Sequence, residues 1–278
     1  MSVFEGALLG LIQGLAEFLP ISSSGHLLIG KMLLGFDTEA SAFKMLEILL
    51  HVGTLIPVLI VFWREWIDMI CHPVKNHTLG LLFLASLPAL GAYVLFNMDL
   101  FDSGWFLGVS CILTAVLLLL TDIVSRRQNK AQQKVGWKNA ICMGIMQALG
   151  LLPGVSRSGS TISGGVFSGL DRNAAARFSF MMSAPAIAGS LLMEGKHALE
   201  EGLFSQIDLV PTVVGVLVAA VSGYLAIRFM LRLITHVPLS WFALYMMIIG
   251  LAFLLLQLAG SPLVPPFTLP SLRELIKI

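Results

Sequence analysis

Gln13-Gly-Leu-Ala-Glu-Phe-Leu-Pro-Ile-Ser-Ser-Ser-Gly-His26 interrupts an apolar run with a proline, three hydroxyls, a glycine and a histidine. Gln147-Ala-Leu-Gly-Leu-Leu-Pro-Gly-Val-Ser-Arg-Ser-Gly-Ser160 does the same in the second half of the chain. Setting Gln13 on Gln147 brings Ile21 onto Val155, Ser22 onto Ser156, Ser24 onto Ser158 and Gly25 onto Gly159, at a constant offset of 134 residues. Around the first break, Phe4–Pro20 precedes it and only His26 to Leu34 follows before Gly35. At 1.5 Å per residue that last run rises roughly 14 Å, about half a hydrocarbon core. Around the second, Asn139–Leu152 precedes and a short apolar run to Leu170 follows. Each reads as a helix-loop-helix that enters and leaves a bilayer on one side, with the polar loops Ser22–His26 and Ser156–Thr161 at the tips. The alternative is one extra full span in each half, but polar loops of this kind cannot face lipid.

The rest of the chain supports a membrane setting. It has 278 residues, 57% hydrophobic and 12% charged, with a mean hydropathy of +0.89. A soluble domain carries roughly 25% charged residues. Six stretches reach the twenty or so apolar residues that cross a bilayer, at about 43–63, 78–97, 104–121, 174–193, 209–227 and 237–259. Phe4–Pro20 lacks a basic leader and a small-residue cleavage site, so it is expected to be retained. Each half then holds one hairpin and three spans, and an odd number of spans inverts the second copy relative to the first. The expected fold class is an all-α polytopic membrane protein with an inverted-topology repeat. Residues 1–134 form the first repeat (re-entrant hairpin 4–34), 135–260 the second (re-entrant hairpin 139–170), and 261–278 a C-terminal tail with no assigned role.

Orientation follows from Lys and Arg. The connection Arg126-Arg127 through Lys130, Lys134 and Lys138 is the most basic and is expected in the cytoplasm. Alternation puts Arg64, Lys75, Arg172, Arg177, Arg228 and Arg232 on that side. It puts Asp37, Glu39, Asp99, Asp102, Glu194, Glu200, Glu201 and both termini outside.

Chemistry concentrates at the tips. Glu17 sits one turn after Gln13 on a shared helix face, beside a Gly6/Gly10/Gly14 stripe that admits a close neighbouring helix. Convergent hydroxyls, glycine-freed N–H groups and Arg157 at a helix start suit an anionic phosphate. The candidate set is Glu17, Ser23, His26 and Arg157 for chemistry, with Ser22, Ser24, Gly25, Ser156, Ser158, Gly159 and Thr161 binding phosphate. Arg157 could instead only pair Glu17, His26 could be a core histidine, and Ser22 or Ser24 could be helix caps. Gln13 fits packing as well as a polar role. Glu47 and His51 share a face on the first full span as a supporting pair. His72, His77, His197 and His236 read as solvated, and Met181, Met182, Met246 and Met247 as packing or lipid-facing surface. Three scattered cysteines fit no disulfide framework or CxxC site, and no nucleotide-binding fingerprint occurs.

Gln13-x-x-x-Glu17 with Pro20-Ile-Ser-Ser-Ser-Gly-His26, and Pro153-Gly-Val-Ser-Arg-Ser-Gly-Ser-Thr161, resemble the signature regions of the bacterial undecaprenyl-diphosphatase family of bacitracin-resistance type. The likeness extends to length, span order and repeat. It implies hydrolysis of undecaprenyl diphosphate to the monophosphate carrier of cell-wall synthesis, at the outer face of the bacterial cytoplasmic (inner) membrane, helped by Mg²⁺ or Ca²⁺. By position it implies Ser23 as a nucleophile, His26 as an essential histidine, Arg157 as the phosphate-binding arginine and Glu17 as the second acid of the first motif. Many members carry Glu where this chain has Gln13, so a cation here would lean on Glu17. The partners implied are a polyprenyl diphosphate and membrane lipids, with room for a homodimer and no nucleic acid. Whether Ser23 or His26 attacks stays open at this level. Type-2 phosphatidic acid phosphatases are a poor match, because position 163 is Ser and no Lys-x6-Arg-Pro occurs. Inverted repeats also build transporters, so a polyprenyl-phosphate flippase is the alternative.

Overall fold

A computed structural model describes residues 1–36, 41–73, 75–101, 103–128, 131–200, 208–267, 270 and 274. Asp37, Glu39, Asp102, Lys130, Glu201, most of the tail beyond 267, and the side chains of Asp99, Glu194, His197 and Glu200 lie outside the described residues. Eleven α-helices are present among the described residues. They are α1 (Val3–Phe18), α2 (Ser23–Leu33), α3 (Ser41–Val61), α4 (Trp63–Cys71), α5 (Thr78–Leu95), α6 (Leu107–Arg127), α7 (Trp137–Leu149), α8 (Arg157–Phe167), α9 (Arg172–Glu200), α10 (Leu209–Leu233) and α11 (Ser240–Leu258).

Six helices are long and apolar enough to cross a bilayer: Phe43–Val61, Thr78–Leu95, Leu107–Arg127, Arg172–Met193, Leu209–Leu233 and Ser240–Leu258. These are the six stretches expected from the sequence, shifted by a few residues at their ends. The chain is a multi-pass membrane protein. Its outward surface carries Phe83, Leu192, Leu217, Val221, Trp241 and Leu255, all more than half exposed, as lipid contact requires. The interior is closed by Phe18, Phe62, Phe178, Phe180 and Leu118. Met181, Met182 and Met246 lie in that interior rather than on the lipid side. The short amphipathic α4 was not expected; its Glu65 forms an ion pair with Arg177 of α9.

One correction concerns the tips. Ser23–His26 and Arg157–Thr161 are not loops: they are the opening turns of α2 and α8. The non-helical breaks lie earlier, at Leu19–Ser22 and Gly150–Ser156. Prolines at 20 and 153 explain the placement, since each removes a backbone donor and pushes the preceding residue out of helical conformation. A serine then caps the restart in each copy. Ser22 Oγ accepts from Gly25 N at 3.3 Å, and Ser156 Oγ from Gly159 N at 3.0 Å. Ser22 does this at φ +68°, the one positive φ of a described non-glycine residue.

Small residues set the helix spacing. α1 lies along α10, where a Cβ on Gly6, Gly10 or Gly14 would land on the backbone of Pro211, Gly215 or Ala219. α7 lies along α5, with Gly144 against the carbonyl of Ala85. α6 meets α11 through Gly108 and Gly250, each against the other's carbonyl. At one end of the bundle Asp122 of α6 accepts from Arg126, from Arg172 of α9 and from the amide of Leu239, tying three helices together.

Gly10→Ala is expected to lower stability by about 1–3 kcal/mol, because a rigid backbone opposes the new methyl. Gly91→Ala on α5, where nothing lies within 4 Å, should be neutral or slightly stabilising. Thermal unfolding in detergent reads both.

Candidate active site at the two helix tips

The two breaks meet. A Cβ on Gly25 of α2 would stand 3.1 Å from Gly154 Cα, and one on Gly159 of α8 would stand 3.3 Å from Pro20 Cβ. Only small residues permit that approach, and Gly154, at φ +89° against the Ser110 side chain, has no room for one. Thr114 of α6 pins the second break: its Oγ1 donates to the Gly154 carbonyl at 3.1 Å and accepts from Ser156 N at 3.0 Å. Ser158 Oγ reaches across and donates to the Leu19 carbonyl at 3.0 Å.

Glu17, at the end of α1, is the junction. Its Oε1 receives Arg157 Nη2 at 2.5 Å. Its Oε2 receives Ser23 Oγ at 2.6 Å and Gln13 Nε2 at 3.0 Å, and His51 Nε2 stands 3.7 Å away. Glu17 is 6% exposed, so its charge depends on these donors. Arg157 is further held by the Ser179 carbonyl of α9 at 3.3 Å.

Glu47 and His51 do not pair through their side chains. Glu47 holds Lys31 of α2 at 2.9 Å, while His51 Nδ1 donates to the Glu47 carbonyl at 2.7 Å and turns Nε2 toward Glu17. The polar centre thus contains two cationic side chains, Arg157 and Lys31, matched by two carboxylates, Glu17 and Glu47.

His26 has a defined tautomer. Its Nδ1 lies 2.8 Å from the Ser22 carbonyl, which can only accept, so Nδ1 carries the proton. Nε2 of the neutral ring then accepts from the Tyr245 hydroxyl of α11 at 2.7 Å, with the two rings stacked. Ser23 Oγ is therefore directed at Glu17, and His26 at Tyr245.

The remaining hydroxyls divide by reach. Ser23, Ser24, His26 and Arg157 are half-buried and reachable. Ser156, Ser158 and Thr161 are almost fully buried, and their hydroxyls are engaged inside the protein. Thr161 Oγ1, for one, lies 2.6 Å from Ser179 Oγ. What α2 and α8 still offer an anion is their first-turn amides at Ser23 and Ser24 and at Arg157 and Ser158, which have no acceptor among the described residues.

A hard cation would find carboxylate oxygen at Glu17 and carbonyl oxygen at Gln13, whose Oε1 is buried without a partner. Among the described residues no three His, Cys, Asp or Glu side chains cluster to hold a metal. Those two side-chain oxygens are what the described residues could offer a hard cation here, most of an oxygen shell being left for a ligand or water to supply.

Lys31, Thr114, Ser179 and Tyr245 escaped the sequence reading. Each is recognised only by a contact made across the fold: Lys31 with Glu47, Thr114 with Gly154 and Ser156, Ser179 with Arg157 and Thr161, and Tyr245 with His26.

Taken together, the chain is an integral membrane protein with a largely buried polar centre built where two short helices begin. A family model described as bacitracin resistance protein BacA matches residues 6–252, and the chain belongs to that family. It is 40% identical over 260 residues to an undecaprenyl-diphosphatase of Halothermothrix orenii, covering 92% of this chain and 98% of the relative. It is 40% identical over 267 residues to one of Carboxydothermus hydrogenoformans, covering 94% and 100%. It is 38% identical over 261 residues to one of Rubrobacter xylanophilus, covering 88% and 94%. The membership expected from the two motifs is borne out.

Thr114→Val removes a donor and an acceptor at once and strands two buried backbone groups, at about 1–3 kcal/mol for each group left unpaired. Thr114→Ser should recover most of the loss. Unfolding midpoints of the three proteins measure this.

Proposed function

We propose that this chain is an undecaprenyl-diphosphatase: an integral membrane phosphatase that releases inorganic phosphate from undecaprenyl diphosphate and leaves the monophosphate carrier. The observation that carries the chemistry is the contact of Ser23 Oγ with Glu17 Oε2 at 2.6 Å, beside an Arg157 that shares the same carboxylate. A hydroxyl next to a buried carboxylate is a nucleophile with its base in place.

In the proposed reaction the diphosphate head enters at the tips while the prenyl chain stays between helices. Arg157 and the free amides of α2 and α8 hold the phosphate oxygens. Ser23 Oγ attacks the terminal phosphorus and its proton passes to Glu17. The bond from that phosphorus to the bridging oxygen breaks, and the leaving oxygen becomes part of polyprenyl phosphate. Water then attacks the phosphoserine, giving inorganic phosphate and restoring the serine. Such transfer depends mainly on positioning and charge neutralisation. Arg157 and Lys31 are already balanced by Glu17 and Glu47, so an incoming diphosphate needs further positive charge. A divalent cation held by Glu17 and Gln13 supplies that neutralisation when bound. His26 is a positioning residue rather than the nucleophile in this scheme, since its N–H is held by the Ser22 carbonyl and its lone pair by the Tyr245 hydroxyl.

The architecture belongs to the same proposal. Residues 1–134 and 135–260 are two copies related by inversion, α1–α2 and α7–α8 being re-entrant hairpins. The exchanged contacts support this: Gly25 meets Gly154 and Gly159 meets Pro20, and both pairs map onto each other at the offset of 134. The pairing of α1 with α10 and of α7 with α5 has the same reciprocity. With the basic connections in the cytoplasm of a bacterial inner membrane, the hairpins enter from, and the site opens to, the outer face.

In detergent, where transport has no meaning, the protein should release phosphate from a polyprenyl diphosphate and lose most of that activity with a chelator. Arg157→Ala and Ser23→Ala should each lower turnover about 100-fold or more. A trapped phosphoenzyme should be acid-stable, as phosphoserine is; an acid-labile one would move the attack to His26. No release at all would favour the flippase reading.

A further inference from the structure

α1 and α10 run side by side from Gly6 at Pro211 to Gly14 at Ala219 and Gly223. α1 then ends at Phe18, whereas α10 continues to Leu233. In this register Phe18 lies against Gly223, so the stretch from Tyr224 to Leu233 runs on without α1 beside it. At 1.5 Å per residue that is roughly 15 Å of helix. The space below the end of α1 is a groove of about 590 Å³. Leu15, Leu19, Leu225 and Phe229 make its apolar length, and Arg228 and Arg232 make its far end. Leu225 and Phe229 are more than half exposed.

The two arginines differ from most others at this end of the bundle. Arg126, Arg172 and Arg177 are each in contact with a carboxylate. Among the described residues, Arg228 and Arg232 have none: Arg228 donates to the Tyr224 hydroxyl at 2.7 Å and packs on its ring. An apolar groove opening sideways from a membrane protein is filled by lipid, and unmatched guanidinium groups at its end select an anionic head. At the other end the groove is lined by Leu15 and Leu19 of α1, and Glu17, Ser23, His26 and Arg157 are not among its lining residues.

We propose that this groove binds an anionic diacyl phospholipid, its phosphate on Arg228 and Arg232 and one acyl chain along Phe229 and Leu225 to Leu15 and Leu19. The lipid stands in for the missing half of α1 and supports the end of that helix. The site is independent of the phosphatase reading.

The full chain, purified from an equal mixture of phosphatidylglycerol and phosphatidylcholine, is examined by native mass spectrometry for retained lipid. Wild type should retain phosphatidylglycerol preferentially, and R228Q/R232Q should lose roughly fivefold in that preference for each arginine. R228K/R232K should keep much of it, and Arg127→Gln, at the same end but outside this groove, should keep all of it. If the double Gln variant does not fold, the single variants Arg228→Gln and Arg232→Gln carry the same expectation. Equal retention of the two lipids by wild type overturns the proposal. So does an equal loss with Arg127→Gln, or displacement of phosphatidylglycerol by equimolar undecaprenyl phosphate.

Discussion

Everything at the centre of this molecule hangs on a carboxylate and a guanidinium that meet from opposite halves of the chain. Glu17 lies near the end of α1 and is buried, and Arg157 opens α8 and is half-buried beside it. Stripping one partner from such a pair leaves an uncompensated charge and costs about 3–5 kcal/mol. The pair therefore requires the two tips to stay together. The glycines at 25, 154 and 159 let the backbones approach, and Thr114 fixes the second break to α6.

The same contact makes chemistry available. Arg157, Ser23, Gln13 and His51 surround one buried carboxylate, and the Ser23 hydroxyl donates to it. Two half-length helices add their first-turn amides from both sides, which no continuous span could offer. The cost of a helix that stops short is volume: past the end of α1, one face of α10 borders a groove.

The six spans were legible because twenty apolar residues in a row have few other uses, and they fall within a few residues of their expected places at most ends. The Gly6/Gly10/Gly14 stripe and the importance of Glu17 and Arg157 were legible from spacing and from the rarity of charge in such sequence. The tips were misjudged in one respect. Serines and glycines read as loop, but capping by Ser22 and Ser156 lets helix begin at the very next residue. That turns Ser156, Ser158 and Thr161 inward, where their hydroxyls satisfy backbone and neighbouring side chains. Lys31, Ser179 and Tyr245 were illegible for another reason: a polar residue outside the two motifs says nothing about which distant segment it will face.

The central claim is that the Glu17–Arg157 junction is where the diphosphate head binds. An experimental structure with a non-hydrolysable prenyl methylenediphosphonate tests it most directly. The account predicts the terminal phosphorus in front of Ser23 Oγ, its oxygens on Arg157 and on the opening amides of α2 and α8. A head group bound away from both tips, with Glu17 and Ser23 untouched, would contradict it.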